Sequence, residues 1–349
     1  MSLDLLNYFE NLRLRAEVQR HTLLWDFVLH HPVRAVAKSI LLPFVVVARL
    51  FRNHFHARKV AHLVISNLPS NEVFAESCLQ VGVENTERNQ FIVQLPVYGN
   101  GVVTVTAIPN FQLRLKSANS KLIIVHAYYE EEALRIFENL KAYRDYDIVL
   151  TTSNPAIKNN FNGLFESNRS ACFLVPNIGR DVLPFLITLK LLDLTPYTHF
   201  VKVHTKRSKH LSDRGSWFRR NIEFLIGQKI ITDRIFAHIS SERPSIYGVE
   251  CLSLHDHLDN NWNWLQFLFG QSPKNIEGRF IPGTMFAGSV TFLRELAQKN
   301  LHLLRLEEEN GQLDGCLVHA LERYFGYLAT SGGGECNTLE TLAFGESAE

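Results

Sequence analysis

Four apolar runs in the middle of this sequence each give way to side chains suited to holding a polar ligand. They are His126 and Tyr128 after KLIIV, Thr151 to Asn154 after DIVL, Asn177 to Asp181 after ACFLVP, and His204 to Ser208 after THFVKV. The third group, NIGRD, has the parts of an anion site. Gly179 permits a positive φ or a close backbone approach, and the helix expected next presents free amide hydrogens. Arg180 can clamp a diphosphate through two parallel hydrogen bonds, or it can pair with Asp181 or another carboxylate. Asp181 can in turn accept from a sugar or ribose hydroxyl. The fourth group, HTKRSKH, crowds His204, Lys206, Arg207, Lys209 and His210 into one loop. It is either a solvated basic face or a cluster that neutralises a departing diphosphate without a metal, the electrostatic part of group transfer.

Farther on, Pro282-Gly283-Thr284 reads as a turn, with Met285 behind it. In GQLDGCLVHALERYFG, Asp314 stands at or near the start of an amphipathic helix, with Glu322 and Arg323 on its polar side. There it is a capping residue or, if it faces a cleft, a general base. Two strings resemble metal ligands. Asp145-Tyr146-Asp147 precedes its strand and so belongs at the wrong end of a sheet. His255-Asp256-His257 with Asp259 lacks partners at metal-binding spacing and reads better as a polar loop contacting an acceptor. No metal or other cofactor is expected.

Positioning these groups falls to strands that alternate with helices from Lys121 onward. KLIIVHA, YDIVLTTS, ACFLVPN and THFVKVHT read as strands, and EEEALRIFENLKAYR and RDVLPFLITLKLL as helices. That order implies a parallel sheet covered on both faces, in which ligands bind beyond the carboxyl ends of the strands, where strand order reverses. SIYGVECLSL reads as a further strand, and RFIPGTMFAGSVTFLREL as a strand, the turn and a helix. Residues 60–118 read as a small β-rich accessory region, with FIVQLPVY and VVTVTAI joined by a Gly-Asn-Gly hairpin. Residues 1–59 read as helical, 119–330 as the α/β domain and 331–349 as a flexible acidic tail.

The composition, 46% apolar and 20% charged over 349 residues, is that of a folded globular chain, and a net charge of +1 argues against a nucleic-acid partner. Five cysteines without a CxxC pair suggest a reduced compartment and thiols used as small core residues, with Cys172 and Cys251 in strand-like runs. The N-terminal residues lack the apolar core of a signal peptide, which points to the cytoplasm. The run Ser39 to Phe51 contains Pro43 and is shorter than the roughly 20 residues of a membrane span. Its flanks, among them Arg34, Lys38, Arg49, Arg52, Arg58 and Lys59, suit an interfacial helix on an anionic membrane surface, or a packed helix with solvated basic ends.

In order, VHAYY, TTSN, NIGRD, KVHTKRS, IPGTMF and QLDGCLVHALERYFG resemble the rhamnan synthesis protein F family of bacterial surface-polysaccharide assembly, over about residues 121–328 and not before residue 120. More distantly the block resembles GT-A-type glycosyltransferases. Asn177 and Gly179 match an Asn-x-Gly motif, Gly283 and Met285 a glycine-rich turn, and Asp314 the carboxylate that deprotonates the acceptor. His204-Thr205-Lys206 stands where such enzymes carry an acidic DxD, a departure that puts metal dependence in doubt.

The resemblance implies a GT-A-like, Rossmann-type, mainly parallel α/β sheet with helices on both faces, preceded by the helical and β-rich regions. It implies inverting transfer of a sugar, L-rhamnose from a dTDP donor, to a lipid-linked or oligosaccharide acceptor in O-antigen, capsule or cell-wall synthesis. The enzyme would work at the inner face of the cell membrane as a peripheral protein. Asp314 and His204 are the catalytic candidates. The donor set is His126, Tyr128, Thr152, Asn177, Gly179, Arg180, Asp181, His204, Lys206, Ser208, Gly283 and Thr284, and the acceptor set Asp256, His257 and Met285. A noncatalytic GT-A-like scaffold or glycan-binding subunit, and a sugar-phosphate transferase, are the alternatives. An oligomer of the chain, or a complex with other polysaccharide-assembly enzymes, is left open.

Overall fold

The structure, a computed structural model, describes residues 82–87, 90–94, 113–206, 216–256, 258, 261–299, 301 and 315–344. The chain divides into two units, Met1–Cys78 and Leu79–Glu349, and every described residue lies in the second. The readings of residues 1–59 as helical and of a hairpin at residues 99–101 lie outside the described residues, as do Ser208, His257 and Asp314.

Four strands carry the site: β3 (Lys121–Ala127), β4 (Asp147–Thr152), β5 (Ser170–Leu174) and β6 (His199–His204). They are joined by β1 (Gly82–Glu87), β2 (Gln90–Gln94), β7 (Ile246–Gly248), β10 (Phe286–Ser289) and β11 (Cys336–Thr338) in one sheet of order β1-β2-β5-β4-β3-β6-β10-β7-β11. The stretch β2-β5-β4-β3-β6 is parallel throughout, and β10 runs antiparallel to both its neighbours. This is the mainly parallel α/β class expected from the alternation of strands and helices. Strand order reverses between β3 and β6, because β4 and β5 step one way from β3 and β6 lies on its other side. A ligand site is expected at the carboxyl ends of those two strands.

Each face is covered because the strands are apolar on both sides, as parallel strands must be. One face packs Ile123, Val125, Val201 and Val203 against α1 (Glu130–Leu140), α4 (Ser216–Ile222) and α5 (Lys229–His238). The acidic start of α1, Glu130 to Glu132, suits its N-terminal dipole, and its apolar stripe of Ala133, Ile136, Phe137 and Leu140 is buried. On the other face lies α3 (Val182–Leu191), buried on nearly every side, as its all-apolar sequence VLPFLITLKL requires. Phe185 of α3 meets Phe286 and Phe325 at ring-centroid distances of 6.3 and 6.0 Å, and Phe200 stacks on Phe292 at 6.2 Å. Phe292 belongs to α7 (Val290–Gln298) and Phe325 to α8 (Leu317–Ser331). Between β4 and β5 runs α2 (Pro155–Leu164), capped by Asn154 through the Ala156 amide at 2.9 Å.

Three sequence readings need correction. SIYGVECLSL is not one strand: β7 ends at Gly248, and β8 (Leu252–Ser253) leaves the main sheet to pair with β9 (Arg279–Phe280). The 282–284 turn is followed by β10 before helix α7 begins. A four-residue strand, FAGS, carries no readable period, and its pairing with β6 and β7 comes from tertiary contact. Within the expected tail of residues 331–349, the described part, residues 331–344, is not loose, because β11 pairs in parallel with β7 and α9 (Leu339–Phe344) follows it. Two of the three glycines that suggested looseness are there for close packing: a Cβ on Gly332 would lie 2.5 Å from Pro244 Cγ and one on Gly334 2.3 Å from the Pro244 carbonyl oxygen. The β-rich stretch before residue 118 supplies β1 and β2 to the edge of the same sheet. Among the described residues no helix is long and apolar enough to cross a membrane.

Candidate active site

The site is built around Lys202. Strand β6 alternates Phe200, Lys202 and His204 on one face with Val201 and Val203 on the other, which puts an ammonium in the interior. Lys202 is 1% exposed, and such a lysine is tolerated only when its donors are satisfied. All three donors find acceptors: Asp181 Oδ2 at 2.6 Å, Thr284 O at 2.9 Å and Thr284 Oγ1 at 3.0 Å. Thr284 Oγ1 in turn donates a hydrogen bond to Asp181 Oδ2. Thus Asp181, at the start of α3, and the turn before β10 are tied to one cation on the strand at the switch point.

Both loops reach that cation through strained backbone. Arg180 (φ 52°) and Thr284 (φ 53°) are the only non-glycine residues with positive φ among the described residues, and each follows a glycine in the same region, Gly179 (φ 67°) and Gly283 (φ 76°). A β-branched threonine there is an outlier, and such strain collects at functional sites. Gly283 is required on two grounds. Its φ is left-handed, and a Cβ would lie 2.3 Å from the Trp217 ring. The Gly283 carbonyl accepts from His204 Nε2 at 2.6 Å, and its amide donates to Glu322 Oε1 of α8.

At the end of β3, His126 Nδ1 is 2.9 Å from Thr151 Oγ1, whose hydroxyl donates to the Val125 carbonyl. Nδ1 therefore carries the proton, and Nε2 is an acceptor with no partner among the described residues. Burial, helped by His204 and Lys202 and resisted by Asp181, lowers the His126 pKa to about 3, so the ring is neutral. Thr205 ties the two strand ends together. Its amide donates to the His126 carbonyl at 3.0 Å, and its Oγ1 accepts the Tyr128 and Tyr129 amides at 2.8 and 3.2 Å. Tyr128, 43% exposed, is left standing at the rim against Tyr129.

Electrostatics follow from this wiring. Burial by itself would raise the Asp181 pKa, but His204, Lys202 and the Thr284 hydroxyl hold it well below the ordinary carboxylate value. Asp181 is ionised, and its Oδ1 has no hydrogen-bond partner among the described residues. Burial lowers the pKa of both Lys202 and His204, with Asp181 opposing. Burial raises that of Glu322 against the Gly283 amide and Lys206. Lys206 Nζ sits 4.5 Å from the centroid of the Trp217 ring, beside the same turn.

The sequence-derived set is thus partly assembled. His126, Asp181, His204, Gly283 and Thr284 share one network, and Gly179, Arg180, Lys206 and Tyr128 border it. Arg180 does not pair with Asp181: its Nη1 donates to His319 Nε2 at 2.6 Å, and His319 Nδ1 is 3.0 Å from Cys316 Sγ. Four candidates lie outside that network. Thr152 is fully buried with its hydroxyl accepting the Asn154 amide at 3.0 Å, so it shapes the start of α2. Met285 is 0% exposed within the core and cannot line an acceptor surface, because the strand alternation after Thr284 points it inward. Asn177 is exposed on the loop after β5, and Asp256, also exposed, spends Oδ2 on the Ser253 amide at 3.1 Å. Asp147 of the DxD-like string lies at the amino end of β4, buried, accepting from Ser117, Asn119 and Tyr197. Among the described residues no group of three or more His, Cys, Asp or Glu could hold a metal ion.

Lys202, Trp217 and His319 are not named by the sequence reading, and Thr205 and Glu322 are named there without a role in the site. A lysine in the centre of an otherwise apolar strand, FVKVH, was the signal that could have found the first. The others become site residues only through loop and helix placement.

The family model of rhamnan synthesis protein F matches residues 14–249. The match begins well before residue 121 and stops short of the 282–284 turn, so it differs from the extent that the motifs suggested. Two curated relatives, both called uncharacterized protein WxcX and found in two strains of Xanthomonas campestris pv. campestris, are 31% identical over 170 residues. The aligned part is 47% of this chain and 24% of each relative, so the chain spans about a quarter of their length. No solved structure matches. With the greater part of its length matched, from the N-terminal region through β7, the chain belongs to the rhamnan synthesis protein F family, a family of polysaccharide synthesis.

Proposed function

We propose that the protein is an inverting glycosyltransferase that moves a sugar, L-rhamnose from a dTDP donor, to a hydroxyl of a lipid-linked glycan. The observation that carries this reading is the convergence of two strained loops on Lys202 at the switch point of the sheet. Those loops lie 103 residues apart in sequence and meet beside His126 Nε2 and Asp181 Oδ1, which have no partner among the described residues and suit sugar or ribose hydroxyls. Arg180, Lys206 and the N-terminal end of α3 supply the positive field for a diphosphate.

In the proposed reaction the acceptor oxygen attacks the anomeric carbon and gives its proton to the Asp314 carboxylate. The bond from that carbon to the diphosphate oxygen breaks, and its electron pair leaves with the nucleoside diphosphate, stabilised by Arg180, Lys206 and His204. A single displacement inverts the anomeric centre. Substituting Asp314→Asn should abolish diphosphate release while donor affinity stays within about twofold, the pattern of a group used only in the transition state. Equal loss of binding and turnover would take Asp314 out of the base role.

A noncatalytic glycan-binding role is the second reading. What favours it is that Lys202, Asp181 and Arg180 are all engaged by protein groups. Donor binding without turnover under any acceptor condition would select it. Association with the membrane surface through the basic segment before residue 60 belongs to the proposal as well. Removing residues 1–59 should release the protein from anionic vesicles while leaving the remainder folded.

A further inference from the structure

Cys251 lies just past the end of β7, and Cys336 opens β11, the strand paired in parallel with β7. Their sulfurs are 3.9 Å apart, and the Cys251 thiol also faces the Cys336 carbonyl at 3.5 Å. Cys336 is 5% exposed and Cys251 half-buried, so Cys251 is the more accessible of the two to a reagent. Arg279 holds the two segments together, donating to the Cys251 carbonyl and to Asn337 Oδ1, both at 3.2 Å. Neither thiol takes part in the site around Lys202, and neither serves as a simple core atom in the way that Cys172 does, whose thiol burial raises to about 12.

From this geometry we infer that Cys251 and Cys336 are a redox-active dithiol, closed to an intrachain disulfide by exchange with a small-molecule disulfide. Closing the bond requires the sulfurs to approach by about 2 Å, within reach of side-chain rotation. The exchange runs in two displacements. The Cys251 thiolate attacks one sulfur of the small disulfide, forming a mixed disulfide and expelling one thiolate. Cys336, its proton passed to solvent, then attacks the Cys251 sulfur and expels the second thiolate. The protein loses two electrons and two protons, and the small disulfide becomes two thiols. Two features favour Cys251 as the attacking group. Its pKa is lowered by the hydrogen bond with Cys336 and by Arg279, whereas that of Cys336 is raised. The bond would fasten the segment leading to Asp256, whose carbonyl accepts from Arg323, to strand β11. The inference stands whether or not the protein transfers sugars.

The test uses the full chain equilibrated with a series of reduced and oxidised glutathione mixtures, quenched in acid, alkylated and mapped by peptide mass spectrometry. A crosslinked Cys251–Cys336 peptide should grow as the oxidised fraction rises and revert when it falls. Cys336→Ser should leave Cys251 trapped as its glutathione adduct, and Cys251→Ser should leave Cys336 unmodified. Recovery of both residues as free thiols at every ratio would overturn the inference. So would a stable glutathione adduct on Cys251 in the unaltered chain, or pairing of either cysteine with a third.

Discussion

Replacing Lys202 with methionine isolates the interaction on which the site is built. The change keeps the length of the side chain but removes three hydrogen bonds and the cation that offsets the buried Asp181 carboxylate. Breaking a buried ion pair on one side typically costs about 3–5 kcal/mol, because a charge is left uncompensated. The cost should depend on pH with a definite sign. In the unaltered protein the Asp181 pKa is depressed, so its contribution is present above the ordinary carboxylate value and is lost only as pH falls through the lower folded value. In Lys202→Met, burial instead raises that pKa, and protonation relieves the strain on acidification. Release of His126 and His204 from the lysine charge acts in the same direction. Urea unfolding followed by tryptophan fluorescence at about pH 7.5 and about pH 5 should therefore show a smaller penalty at the lower pH, by about 1.4 kcal/mol for each pH unit over which Asp181 becomes protonated. Adding Asp181→Asn should recover more than half of the loss. A penalty below about 1 kcal/mol, or one that is the same at both pH values, would refute the claim that a buried, ionised pair organises these loops.

Three further outcomes follow from the same geometry. Gly283→Ala places a Cβ in the Trp217 ring at a left-handed backbone position, so it should cost about 2 kcal/mol or more in a thermal melt; a neutral result would mean the turn relaxes freely. His126→Gln removes a group that titrates near 6.5 when unfolded and near 3 when folded, so the unaltered protein should lose stability relative to the variant by up to about 1.4 kcal/mol per pH unit between those values. Parallel stability curves for the two proteins over that range would show that His126 is not held neutral. Arg180→Ala should weaken nucleotide binding by about tenfold or more in calorimetry while leaving the fold intact, and unchanged affinity would remove Arg180 from the donor site.

Much of the sheet could be read from the sequence because buried parallel strands leave continuous apolar runs. KLIIVHA was read as a strand and is β3, residue for residue. The switch point followed, and with it the edge where His126, His204 and Asp181 gather. What escaped was whatever depends on tertiary pairing. Strand β10 is too short to show a period, and the glycines before β11 suggest flexibility until Pro244 is seen packed against them. The role of NIGRD was half legible. A positive φ at Gly179 was foreseeable but not the one at Arg180, and Asp181 pairs with a lysine in a strand while Arg180 contacts a histidine on a helix remote in sequence. Lys202 was within reach of the sequence, because a cation inside an apolar run of a sheet expected to be covered on both faces has to be buried and paired.

The most direct test of the glycosyltransferase reading is release of nucleoside diphosphate by the purified protein from a panel of dTDP-, UDP- and GDP-sugars, with lipid-linked acceptor, in the presence and absence of EDTA. The account predicts acceptor-dependent release of diphosphate from one donor, dTDP-rhamnose, unaffected by EDTA. Absence of release from every donor, or release only of a nucleoside monophosphate, would contradict it.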